Sequence, residues 1–141
     1  MSEESRSQLK TYYETGDIPT EAQFENLIDS SPNIVDDSIM LGGNPTVTAF
    51  AGGGQANATI LTALFSTVTV CASAGDSIRL PDAGAGRWVG VVNATPNACN
   101  IFPAAGSQID VLGVNNPLSI ASGERFLFAS TGTNWASFSG N

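Results

Sequence analysis

The sequence predicts a mainly β protein with an N-terminal helical hairpin, α+β overall, and three observations carry that prediction. From Thr46 onward the apolar residues recur with period 2, in short runs separated by turn residues about every ten positions. Before that point the period is helical: Leu9, Tyr12 and Tyr13, and again Phe24, Leu27 and Ile28, stand at i, i+3 and i+4. The charge also changes character near residue 38. Residues 1–37 carry nine acids against Arg6 and Lys10, whereas the remainder carries Asp76, Asp82, Asp110 and Glu124 against Arg79, Arg87 and Arg125.

Taken in order, the first helix lies in RSQLKTYYETGD, where Gly16 and Asp17 stop the pattern and Pro19 forbids its continuation. The second begins at Thr20, an N-cap with Gln23 in capping-box position, and ends at Ser30, Ser31 and Pro32. Two helices of about ten residues are each too short to be stable alone. Their stripes (Leu9, Tyr12, Tyr13, Phe24, Leu27, Ile28) therefore need a partner surface. Residues 1–37 are read as an acidic docking hairpin and 38–55, with five glycines and a proline, as a junction. Residues 56–141 are the β-rich domain.

The β runs are TVTAF, ATILT, TVTVCA, DSIRLP, RWVGVVNAT, CNIFPA, QIDVLG, LSIAS, RFLFAS and NWASFS, divided by turns such as SAGD, PDAGAG and STGTN. They predict an antiparallel sandwich or barrel of about 8–10 short strands rather than a βαβ fold. Ala58 to Ser66 has helical as well as extended spacing, and its threonines favour the extended form. No internal repeat of fixed length emerges.

The stretch TAFAGGGQANATILT is the most ligand-like in the chain. A phosphate-binding loop needs a lysine after its glycines, and no Lys or Arg stands between Lys10 and Arg79. A dinucleotide fingerprint fails for want of a third spaced glycine. Gly52, Gly53 and Gly54 thus predict a bend at which backbones come close. With no histidine in the chain, Ser-His-Asp and Cys-His catalysis have no base. Paired carboxylates would have to come from Asp76, Asp82, Asp110 and Glu124, each expected at a turn or on a polar strand face. No catalytic, cofactor or metal site is expected: Asp36-Asp37 is an acid pair without further acids nearby, and zinc lacks its four ligands. The sequons at Asn57 and Asn93 carry meaning only in a secreted protein.

Cys71 and Cys99 lie in apolar strand contexts and are expected as buried thiols, with a disulfide as the alternative. Trp88 and Trp135, with Phe126, Phe128 and Phe138, suit core or subunit contacts first and a glycan-stacking platform second. An acidic chain with a net charge of −8 is a poor partner for nucleic acid. No run reaches the length of a membrane span, and no secretory leader is read at the start. Charged residues make up only 13% of the chain, which fits packing of subunit against subunit.

The run RSQLKTYYETGDIPTEAQFENLIDS resembles a module at the start of phage head-fibre and virion-associated fibre proteins. AFAGGGQANATILTALFSTVTVCASAGDSIRLPDAGAG, followed by VGVVNATPNACNIFPAAGSQID, is similar to a β-rich module of phage capsid-fibre and tail-fibre proteins. The resemblance spans nearly the whole chain. It implies a non-enzymatic virion structural protein, a head fibre or capsid-decoration protein that forms a homotrimer and binds the major capsid protein or another virion protein. It implies a place on the particle surface after assembly in the host cytoplasm. A tail-fibre or capsid-borne receptor- or glycan-binding module, with Trp88 or Trp135 at the contact, is the alternative.

Overall fold

A computed structural model of the chain describes residues 6–16, 18–31 and 42–140. It divides into two compact units, Met1–Ile39 and Met40–Asn141.

The first unit holds helices α1 (Arg6–Thr11) and α2 (Glu21–Asp29). The cap of α2 forms as its sequence requires. The Thr20 hydroxyl accepts the Gln23 N–H at 3.4 Å, and the Gln23 side-chain oxygen accepts the Thr20 N–H at 2.8 Å. Helix α1 is shorter than the expected ten residues. Thr11, Tyr12 and Tyr13 lose χ1 freedom in a helix, and the Thr11 hydroxyl bonds back to the Gln8 carbonyl at 2.7 Å. Tyr12 and Tyr13 continue only as a turn beyond it. The Tyr13 ring meets Phe24 edge-on at 5.8 Å, so the two stripes touch at this pair. Asp36 and Asp37 lie outside the described residues.

Among the described residues the second unit holds nine strands. In chain order they are β1 (Gly43–Thr48), β2 (Thr59–Ile60), β3 (Phe65–Val70), β4 (Ser77–Arg79), β5 (Trp88–Asn93), β6 (Cys99–Phe102), β7 (Leu118–Ile120), β8 (Arg125–Ser130) and β9 (Trp135–Gly140). They form a five-stranded sheet in the order β1-β3-β5-β8-β9 and a four-stranded sheet in the order β2-β4-β6-β7. Both sheets are open. From β1 to β6 the chain alternates between them, so neighbours within a sheet run parallel. Only β7, β8 and β9 pair antiparallel.

The expectation of antiparallel sheets is therefore corrected to mixed ones. Parallel neighbours need a long crossover, and here a strand of the other sheet supplies it in place of a helix. Runs ten residues apart fit such winding as well as they fit a meander. The step between partners also drifts, from Thr59 facing Ile78 to Phe65 facing Gly90, which hides any fixed repeat.

Within residues 38–55 the expected run TVTAF lies partly in an edge strand, Gly43–Thr48, and Val47 and Ala49 are buried in the core. One further expectation changes. QIDVLG forms no strand, because Asp110 takes a φ of +48° and turns the chain after a single bridge from Ile109 to Trp135. Ala58 to Ser66 is extended rather than helical. One core draws on both sheets, with Val68, Val89, Val91, Phe128 and Trp135 from the larger and Ile78, Cys99, Ile101 and Ile120 from the smaller.

Candidate functional site

At the triple-glycine bend, Gly52, Gly53 and Gly54 all have positive φ, between 71° and 92°. A Cβ on Gly53 would stand 3.0 Å from the Gly75 carbonyl oxygen. The close backbone approach that the sequence predicts is present. An anion does sit at this bend, and it belongs to the protein: the buried Asp76 carboxylate accepts the Gly52 N–H at 3.1 Å and the Ser73 N–H at 3.0 Å. These donors, Ser73 first and then Gly52, hold the Asp76 carboxyl below the usual range against the opposing effect of burial. The Gln55 amide anchors the far side of the bend on the Pro103 carbonyl at 2.9 Å and the Asn115 side-chain oxygen at 3.1 Å.

Asp110 and Glu124 are also tied to backbone, each on its own loop. Asp110 accepts the Ser137 N–H at 2.9 Å and its hydroxyl at 2.6 Å. Glu124 accepts the Ala121 N–H at 2.7 Å across the β7–β8 turn. Asp82 lends its carbonyl to the Arg87 guanidinium at 2.8 Å. Among the described residues no group of three or more His, Cys, Asp or Glu side chains is placed to hold a metal ion. No described helix is long and apolar enough to cross a membrane.

Asn93, seen in the sequence only as a sequon, is fully buried. Its amide nitrogen donates to the carbonyls of Asn97 (2.8 Å), Ile120 (3.0 Å) and Ala121 (3.2 Å), and its oxygen accepts from Thr95 N–H and hydroxyl. Asn97 in turn donates to the carbonyls of Cys71 and Ala72. This network staples three passes of the winding chain. Cys71 and Cys99 are free and buried beside it. Burial pushes the Cys99 thiol up to about 12, and the neighbouring Cys71 adds to the rise.

The aromatic candidates separate. Trp135 and Phe128 lie in the core and Phe126 stacks on Phe128 at 5.9 Å, so Trp135 is withdrawn from any glycan contact. Trp88 is 47% exposed and stacks on the exposed Phe138 at 6.5 Å.

These two belong to an apolar surface that sequence reading missed. On the outer face of the larger sheet the register sets Phe65 beside Gly90, Gly90 beside Leu127, and Leu127 beside Phe138. The three side chains of that row are 50%, 42% and 54% exposed. The Phe65 ring lies over Gly90, where an added Cβ would come within 2.7 Å of it. The row borders a groove of about 450 Å³ that is also lined by Val92 and Arg125. In the first unit Phe24 and Ile28 are likewise exposed, as is Ile18, while Leu9, Tyr12 and Leu27 are half-buried. Alternation along each strand was legible; the alignment of these residues across strands depends on loop lengths that no local pattern encodes. Against known proteins, no family, no curated protein and no solved structure matches the chain.

Proposed function

We propose that the chain is a non-enzymatic structural protein of a phage virion, a head fibre or capsid-decoration protein that assembles as a homotrimer. The observation that carries the reading is the contiguous apolar row Phe65–Leu127–Phe138, with Trp88 beside it, on an otherwise nearly uncharged domain. Apolar surface of this kind marks a place where another surface packs. The resemblance of both segments to fibre modules supplies the setting: the particle surface, with the major capsid protein or another virion protein as second partner. The acidic hairpin is the docking element, and the two sheets, joined by one core, form a projecting sandwich.

Antibody labelling of purified phage particles tests this directly. Regularly spaced label on heads is the expected image; unlabelled particles that lack the chain by mass spectrometry would sink the proposal.

Trp88 favours a second reading, in which the domain holds a host glycan by ring stacking. It would show as saturable glycan binding that Trp88→Ala abolishes.

A further inference from the structure

The loop between β6 and β7 carries a second apolar feature. Val111, Leu112 and Val114 project from it with exposures of 95%, 40% and 55%. At that exposure Val111 is left uncovered by the described residues. The loop is nevertheless firmly built. Leu112 N–H donates to the Ile109 carbonyl at 3.1 Å, and the Asn116 amide caps the Leu112 carbonyl at 2.7 Å. Asn115 is anchored by its own N–H to Ser107 and by Gly106 N–H to its side-chain oxygen. The Asp110 carboxylate ties the base of the loop to Ser137 on β9, the strand that carries Phe138. A rigid apolar tip keeps its shape in water, so little ordering remains when it docks.

Resting on the homo-oligomer reading above, we infer that Val111 and Leu112 of one copy seat in the Phe65–Leu127–Phe138 groove of the next. Three observations fit a second copy as the occupant. The groove, at about 450 Å³, falls within the size range of sites that admit small apolar ligands or side chains. The tip offers aliphatic side chains with no charge of their own to a groove that has Arg125 as its charged neighbour. Residues 38–141 carry four acids against three arginines, so copies meeting through this unit gather almost no repulsion. Tip and groove are different surfaces, which makes the contact head-to-tail, and such contacts close into rings when the rotation permits.

The test uses full-length chains. Val111→Asp disables the tip and Leu127→Asp disables the groove, with Phe138→Asn as the alternative if Leu127→Asp does not fold. Each residue is exposed, so circular dichroism is expected to be unchanged. Light scattering should give an oligomer for the unsubstituted protein and a monomer for each variant, with the dissociation constant raised at least about thirtyfold, as when a hot-spot contact is lost. Mixed at equal and high concentration, the two variants should form a dimer, because one intact tip and one intact groove remain. If either folded variant still assembles, or the mixture stays monomeric while the unsubstituted protein assembles, the head-to-tail contact is wrong and the oligomer reading stands. A monomeric unsubstituted protein overturns both. Face-to-face pairing of two rows would show as a Val111→Asp variant that still dimerises, and that outcome overturns the inference.

Discussion

Asn93 satisfies five partners from a site with no access to water, and the consequence of losing it follows from that geometry. Asn93→Ala leaves the Ile120 carbonyl and the Thr95 N–H to find new partners, each orphaned group costing about 1–3 kcal/mol, while the Asn97 carbonyl keeps only the Thr95 hydroxyl at 3.0 Å. A loss of at least about 3 kcal/mol in urea unfolding is expected, with Asn93→Asp little better because the carboxylate cannot donate. Ser66 is the opposite case: its hydroxyl is buried and has no hydrogen-bond partner, as has the Trp135 indole nitrogen. Ser66→Ala should leave stability unchanged or raise it by up to about 1 kcal/mol. Asp76 adds a pH dependence of defined sign. Its folded-state carboxyl titrates below its unfolded value, so the stabilisation is complete above the ordinary carboxylate range near pH 4 and is lost as pH falls through and below it. Asp76→Asn keeps one acceptor of the two; it should lower stability at neutral pH and flatten the acid limb of the profile.

At the scale of elements, the three consecutive positive-φ glycines fix where the chain passes from β1 towards β2. Gly53→Ala meets both a left-handed backbone and the Gly75 carbonyl at 3.0 Å, and should cost about 2 kcal/mol by chemical unfolding. Gly106→Ala, with positive φ but open space around it, isolates the backbone part of that cost. Local chemistry was legible in the sequence. The capping box at Thr20 and Gln23, the stop at Gly16, the strand runs and the bend at Gly52 to Gly54 all depend on residues close to one another along the chain. What was hidden depends on residues far apart. Val68 reads the same whether its neighbour Asn93 runs parallel or antiparallel, so the run spacing did not reveal the winding. Asp110 reads as the polar member of an alternating strand, yet its carboxylate is taken by Ser137 and its backbone turns. The row from Phe65 to Phe138 arises from the register of four strands, which is why residues singly unremarkable in the sequence form the surface on which the functional reading rests.

Over the whole molecule, charge is divided unevenly between the units, and under the proposed function each has a separate task. The β unit is close to neutral and carries the groove and tip that fit contact between copies. Residues 1–37 hold a balance of −7, and copies brought together through this segment would repel one another. Its exposed Phe24 and Ile28 are thus better suited to a foreign surface than to their own kind, above all one with basic residues. Burying a Leu or Phe stabilises a contact by roughly 1.5–3 kcal/mol, and in the trimer proposed above three hairpins acting together would turn a modest site into firm attachment. Phe24→Ala combined with Leu27→Ala should therefore abolish co-sedimentation with phage particles that lack the chain, while the oligomer mass from light scattering stays unchanged. The groove variant Leu127→Asp should behave differently. It should break the proposed assembly while leaving the hairpin intact, so particle binding should persist but weaken steeply, because avidity would be lost and the single-site affinity would not. If the hairpin variant binds particles at full occupancy, attachment runs through the β unit, and the division of tasks by charge is wrong.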